Sequence, residues 1–345
     1  MLSVIITNRN EPMLPFTVRR IQETADCKVE IIVVDDGSDQ AIPELPGVKI
    51  IPIKEPTGLA YCRDVGIEAA SNDACLILDA HMNFHPDNWA SYSVEFSQSY
   101  REGIGCAVST QLDSDPWNDT GRQMSMLARR EPDPGEKGGW ILKKRSAYYG
   151  ARIETICTKT ARPFPCKWNG DYKELIKDGE PGVIQCILGG AYVLSRAWYL
   201  QGLQRPWRAN RGWGTSEQSI AIPNWLCGGE SYLMPIEIGH QYRTGKQGRV
   251  PYQVREKMEV QILWNRFKII EVLPMDEELR RDMHDALRHS CPTMRYQAMR
   301  TMDKGYCREY RHFLSRQKRK VGAYFERFGM STEIPKFPVM EAFRR

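Results

Sequence analysis

The sequence predicts an α/β protein with a mostly parallel sheet flanked by helices. Three observations carry this. Short apolar runs alternate with helix-like segments over the first hundred residues. The runs are nearly continuous in Val, Ile and Leu, as strands buried on both faces are. Several also end in polar residues, where parallel sheets gather their ligands.

The elements follow in order. Val4–Thr7 reads as the first strand, and Met13–Thr24 as a helix with Pro12 near its first turn. Val29–Asp35 and Val48–Ile53 are the next strands. Gly58–Ala70 is a helix, Ala74–Asp79 a fourth strand, Pro86–Tyr100 a helix and Ile104–Ser109 a further strand. From about 111 to 182 the periodicity is lost in a stretch rich in Pro, Gly, Trp and charge. It is too long for a simple connection and reads as a functional insertion. Order returns with Ile187–Leu194, a helix over Ser216–Cys227 and a strand near Tyr232–Ile238. Residues 1–252 then form one domain. Residues 253–345 form a helical C-terminal extension.

Composition narrows the function classes. The chain has 345 residues, 41% apolar and 26% charged, with a net charge of +5, which is ordinary for a globular protein. There is no apolar run of about eighteen residues, so no membrane span is expected. The chain opens directly into a strand, with no basic and apolar leader. Ten cysteines show no CxxC pair. Reduced, packed thiols and a cytoplasmic location are therefore expected.

Asp79-Ala80-His81 is the segment that points to chemistry. Side chains alternate along a strand, so Asp79 and His81 share one side while Ala80 turns away. A carboxylate oxygen and an imidazole nitrogen together suit a divalent cation such as Mn²⁺. A helix-capping Asp beside a locally bonded His is the plain alternative. A metal needs a further ligand, and His240 after Gly239 is the best candidate.

Several segments join this one in a recognisable order: Ser3-Val4-Ile5-Ile6-Thr7-Asn8-Arg9-Asn10-Glu11, Glu30-Ile31-Ile32-Val33-Val34-Asp35-Asp36-Gly37-Ser38, Thr57-Gly58-Leu59-Ala60 with Arg63, Asp79-Ala80-His81, Gly189-Gly190, Gly212-Trp213-Gly214-Thr215-Ser216-Glu217, Cys227-Gly228-Gly229 and Gly239-His240. The series resembles the GT-A glycosyltransferases, and within them the polypeptide N-acetylgalactosaminyltransferases. That resemblance implies a GT-A, Rossmann-like sheet and transfer from a UDP-sugar. It implies that Thr7, Asp35 or Asp36, and Arg63 contact the uridine and ribose. Asp79, His81 and His240 would hold Mn²⁺ against the diphosphate. Trp213 would wall the sugar site. Arg243 and Lys246 would lie in a loop over the diphosphate. Glu217 is the carboxylate near the sugar, but Thr215-Ser216 put it one residue further from Trp213-Gly214 than the family spacing. Its role as base or as positioning group, and with it a retaining or inverting outcome, stays open.

The acceptor is less sharply indicated. Between Arg280 and Arg327 there are thirteen basic residues against five acidic ones, interleaved with Tyr296, Tyr306, Tyr310, Phe313, Tyr324 and Phe325. Basic and aromatic residues so mixed suit nucleic acid. A hydroxymethylated pyrimidine in DNA is then one acceptor, and a protein Ser or Thr or a polysaccharide or lipid-linked hydroxyl another. An amphipathic cap with solvated charges, or contact with an anionic membrane surface, fits the same tail. A non-catalytic module that binds nucleic acid or sugar is the distant alternative.

Overall fold

The computed structural model describes residues 1–84, 87–111, 147–169, 175–241 and 256–335. The first strands follow the apolar runs: β1 (Leu2–Asn8), β2 (Val29–Asp36), β3 (Val48–Ile53) and β4 (Ala74–Asp79). They pair in parallel in the order β4-β1-β2-β3. β6 (Gly103–Gln111) and β12 (Glu230–His240) are also parallel to each other. Between the two sets lies β11 (Ala191–Ser195), antiparallel to both β4 and β6. The sheet is therefore parallel in its N-terminal half and mixed beyond it. β10 (Gly182–Ile184) pairs with β12, and β7 (Ala147–Tyr148) with β6. β8 (Ala151–Ile153) and β9 (Cys166–Trp168) form a separate ribbon.

Helices cover both faces. α1 (Leu14–Thr24) and α3 (Trp89–Ser99) pack with Val4, Ile6, Leu76 and Leu78 on one side. α2 (Leu59–Ala69) packs with Ile5, Val34, Cys75 and Ile77 on the other. That alternation along β1 and β4 is the two-residue period of a strand buried on both faces.

A feature absent from the sequence reading decides the site. The short strand β5 (Met82–Phe84) pairs antiparallel with the end of β12, setting His240 opposite Met82. The buried Thr17 of α1 fixes this turn. Its hydroxyl lies 3.0 Å from the carbonyl oxygens of Ala80 and Met82 and accepts from the Met82 N–H.

α4 (Gln218–Leu226) is followed after β12 by α5 (Glu256–Val272), α6 (Glu277–His289), α7 (Thr293–Arg300), α8 (Gly305–Ser315) and α9 (Val321–Arg327). These last helices share one hydrophobic core with α4 and with residues of the 151–166 segment. Packing corrects the reading of the tail as a base-stacking surface. Tyr310, Tyr324 and Phe325 are buried, and Tyr296, Tyr306 and Phe313 pack against that core. Seven of the thirteen basic residues, Arg280, Arg281, Arg288, Arg295, Arg311, Arg319 and Arg327, sit in ion pairs. The aromatic period that resembled a nucleic-acid platform is the buried stripe of amphipathic helices. No described helix is long and apolar enough to cross a membrane.

Candidate active site

The strand register brings the polar ends together. Thr7 stands opposite Asp79, and Asn8 opposite Asp35. β5 turns the chain back onto β12, and the Gln241 N–H donates to the His81 carbonyl at 3.1 Å. As a result the candidate ligand atoms of Asp79, His81 and His240 all lie within 4.8 Å of one another. The two imidazole rings are 4.8 Å apart, and His240 Nε2 is 3.5 Å from Asp79 Oδ2.

These residues fit a divalent cation. One hard oxygen and two imidazole nitrogens are an ordinary donor set for Mn²⁺ or its neighbours. Gly190 keeps the space clear: a Cβ there would sit 2.7 Å from Asp79 Oδ2 and 3.3 Å from His240 Nε2, at a φ of +81°. Glu11 approaches His81 Nδ1 at 3.2 Å. A carboxylate on one ring nitrogen orients the other toward a metal. Glu11 lies in a segment the sequence reading quoted, yet nothing local marked it as a partner of His81.

Arg63 is almost wholly buried, at 1% exposure. Its guanidinium donates to Asp79 Oδ1 at 3.1 Å and to Glu217 Oε1 at 3.3 Å. The rings of Tyr192 and Trp207 lie 5.0 Å and 5.5 Å from it. Burial alone would raise the Asp79 carboxyl. The His240 hydrogen bond and the Arg63 charge outweigh that and hold it well below the usual carboxylate range. Burial works against the Arg63 charge, but Tyr192, Asp79 and Glu217 together keep it firmly protonated.

Glu217 is held by more than Arg63. The Tyr192 hydroxyl donates to its Oε1 at 3.1 Å, and the Ser216 hydroxyl to its Oε2 at 2.6 Å. The turn before it is fixed by Asn265 of α5, a residue the sequence reading missed. Asn265 Oδ1 accepts from the Arg211 N–H at 2.8 Å. Its Nδ2 donates to the carbonyls of Gly214 at 3.1 Å and Trp213 at 3.4 Å. Trp213 itself projects from this turn, 60% exposed.

Arg63, Asp79, His81, Trp213, Glu217 and His240 all border one cavity of about 770 Å³. Thr7 and Asp36 border it as well. The Thr7 hydroxyl has no hydrogen-bond partner among the described residues. Asp36 accepts from the Thr57 N–H at 2.6 Å, the Thr57 hydroxyl at 3.0 Å and the Gly58 N–H at 2.9 Å. Burial raises its carboxyl despite those bonds. Asp35 does not border the cavity; its carboxylate accepts from Asn8 and Ser38. Arg243 and Lys246 lie outside the described residues.

Comparison with known proteins agrees with this geometry. The family model for glycosyl transferase family 2 matches residues 3–165. Polypeptide N-acetylgalactosaminyltransferase 10 of Homo sapiens is 26% identical over 276 residues, which is 73% of this chain and 39% of that protein. Polypeptide N-acetylgalactosaminyltransferase 5 of Mus musculus is 25% identical over 228 residues, 62% of this chain and 21% of that protein. The chain thus spans well under half the length of these relatives. The crystal structure of GalNAc-T7 with UDP, GalNAc and Mn²⁺ superposes with a TM-score of 0.64 at 20% identity, covering 95% of this chain and 56% of that one. The fold is GT-A. The glycosyltransferase match stops at residue 165, before Glu217 and His240. Those two join the site through α4 and the β5–β12 pairing.

Proposed function

We propose that this chain is a metal-dependent glycosyltransferase that moves a hexose or N-acetylhexosamine from a UDP-sugar to a hydroxyl group, a Ser or Thr of a polypeptide. The observation that carries the reading is the convergence of Asp79, His81 and His240 on one face of a cavity large enough for a nucleotide sugar. A divalent cation held there neutralises the charge that develops on the diphosphate as the sugar leaves.

The chain's own residues do the rest. Thr7 and Asp36 face the nucleoside. Arg63 fixes the Asp79 carboxylate at an oxygen turned away from His240, and links it to Glu217. Both Glu217 oxygens are already committed to donors, which suits a positioning group better than a proton acceptor. Trp213 supplies a flat wall for the sugar.

Support for a polypeptide acceptor comes from the relatives, which are named for polypeptide substrates. The packing of the tail aromatics weighs against a DNA base as acceptor. Ten free cysteines are consistent with a cytoplasmic, reducing location. The helical extension after residue 253 belongs to the working unit in this reading, because Met258, Gln261, Ile262 and Arg266 of α5 border the cavity.

The test is UDP release from UDP-N-acetylgalactosamine, UDP-N-acetylglucosamine and UDP-glucose in Mn²⁺, with and without Ser/Thr peptides. Release stimulated by peptide and stopped by a chelator is expected. Release that ignores both the chelator and Asp79→Ala would overturn the proposal.

A further inference from the structure

One wall of the cavity carries charge that the reaction scheme above does not use. It is built by residues 162–168 and by one face of α5. Arg162 and Arg266 both border the cavity. Among the described residues neither guanidinium has a carboxylate or any other hydrogen-bond partner. Arg63, at the same cavity, is instead spent on Asp79 and Glu217.

The backbone that carries the two side chains is held in place. Ala161 and Phe164, both buried, flank Arg162 with φ of +50° and +48°, a region non-glycine residues rarely visit. The Arg162 N–H donates to the Thr158 hydroxyl at 3.1 Å, and the Phe164 N–H to the Ile156 carbonyl at 2.9 Å. Gln218 donates to the Phe164 carbonyl at 2.7 Å, tying this segment to the start of α4 beside Glu217. Arg266 follows Asn265, which holds the Trp213–Gly214 turn. Burial and the charge of Arg162 both lower the Arg266 guanidinium, so the pair repel each other across the wall. Pro163, Pro165 and Met258 of the same two segments also border the cavity.

We propose that Arg162 and Arg266 form an anion subsite beside Glu217 that selects acceptor peptides carrying Asp or Glu next to the reacting Ser or Thr. Two guanidiniums suit carboxylates, each able to donate two parallel hydrogen bonds. The apolar side chains of Pro163, Pro165 and Met258 at the same cavity suit the extended backbone of a peptide. This proposal rests on the polypeptide reading of the acceptor.

The experiment uses the full chain with Mn²⁺ and UDP. A Glu-flanked peptide with Ala in place of Thr cannot react, so calorimetry reads binding alone. It should bind about tenfold tighter than its Ala-flanked counterpart, the scale of one charge-assisted contact. Arg162→Ala and Arg266→Gln should each remove most of that preference and leave UDP affinity and melting temperature unchanged. In transfer assays with Thr peptides the acidic flanks should lower KM and move kcat little. Arg162→Glu with Arg266→Glu should reverse the preference toward Lys flanks. Equal binding of acidic and neutral peptides overturns the subsite. So does Arg-dependent binding of an oligothymidylate with no binding of the acidic peptide. Arg-dependent binding of the acidic peptide without glycosylation of any Thr peptide supports the subsite and sinks the polypeptide-acceptor reading instead.

Discussion

Two walls of one cavity are built on opposite principles. The strand-end wall closes its own charge: Asp79, Arg63 and Glu217 form a chain of ion pairs, with His81 leaning on Glu11. The wall formed by residues 162–168 and α5 presents two guanidiniums, Arg162 and Arg266, that no carboxylate among the described residues compensates. The difference separates their tasks. A neutralised, cross-braced wall can hold a cation and diphosphate in fixed geometry without reorganising. A wall with spare positive charge gains most when an anionic partner arrives.

The sharpest way to break this comparison is Asp79→Asn. It removes the charged ligand and uncouples Arg63, so UDP release should fall on the order of 10²–10³-fold. Binding of the acidic, non-reacting peptide should be unaffected. Equal losses in both measurements would mean that the two walls act as one. Gly190→Ala probes the same wall by shape alone. Its methyl group would meet Asp79 Oδ2 at 2.7 Å in a backbone conformation that alanine resists. A loss of roughly 10²-fold in UDP release is expected, on the scale of a misplaced catalytic group. Activity within twofold of wild type would show that the glycine does not guard the ligand space.

Glu217 joins the walls and gives a smaller, more diagnostic effect. Glu217→Gln keeps the shape and the bond from Ser216 but loses the charge that faces Arg63. For a positioning group, kcat should fall about tenfold, and Glu217→Ala should cost clearly more, because orientation is then lost as well. Equal, severe losses in the two variants would instead mark Glu217 as a base, where the amide is as useless as a methyl group.

The same contrast explains what could be read from the sequence. β2 and β4 were legible because continuous Val, Ile and Leu runs define strands buried on both faces. Asp79 and His81 were legible because strand alternation ties neighbours in sequence to neighbours in space. The spatial proximity of His240 was not derivable from its surroundings. It depends on three residues, Met82–Phe84, too short a strand for any periodicity to register. The burial of Arg63 was not legible, since it lies in a helix that is apolar on several faces. Asn265 and Glu11 act across 52 and 70 residues of chain respectively, on Trp213 and His81, and no local pattern encodes such pairs. The tail misled for a physical reason: amphipathic helices bury aromatics at the same spacing at which a nucleic-acid surface would expose them.

Lys268 offers the mildest test, and it asks whether α5 is as rigidly seated as the strand ends. The side chain is 1% exposed. Its ammonium donates to the Pro206 carbonyl at 2.6 Å and to the Asn210 side chain. Burial pulls it down to about 7, from an ordinary value of 10.5. Between those two values the unfolded chain holds a proton that the folded chain has released. Stability therefore rises with pH through that window, and below about 7 the dependence from this group vanishes. Lys268→Met leaves the two acceptors unmet and should cost about 1–3 kcal/mol at pH 9. The deficit should shrink at pH 6, where the wild type must bury a charge. Urea denaturation of both proteins at pH 6, 7.5 and 9 reads this directly. Parallel stability profiles would mean that water reaches Lys268, and that α5 breathes where the strand ends do not.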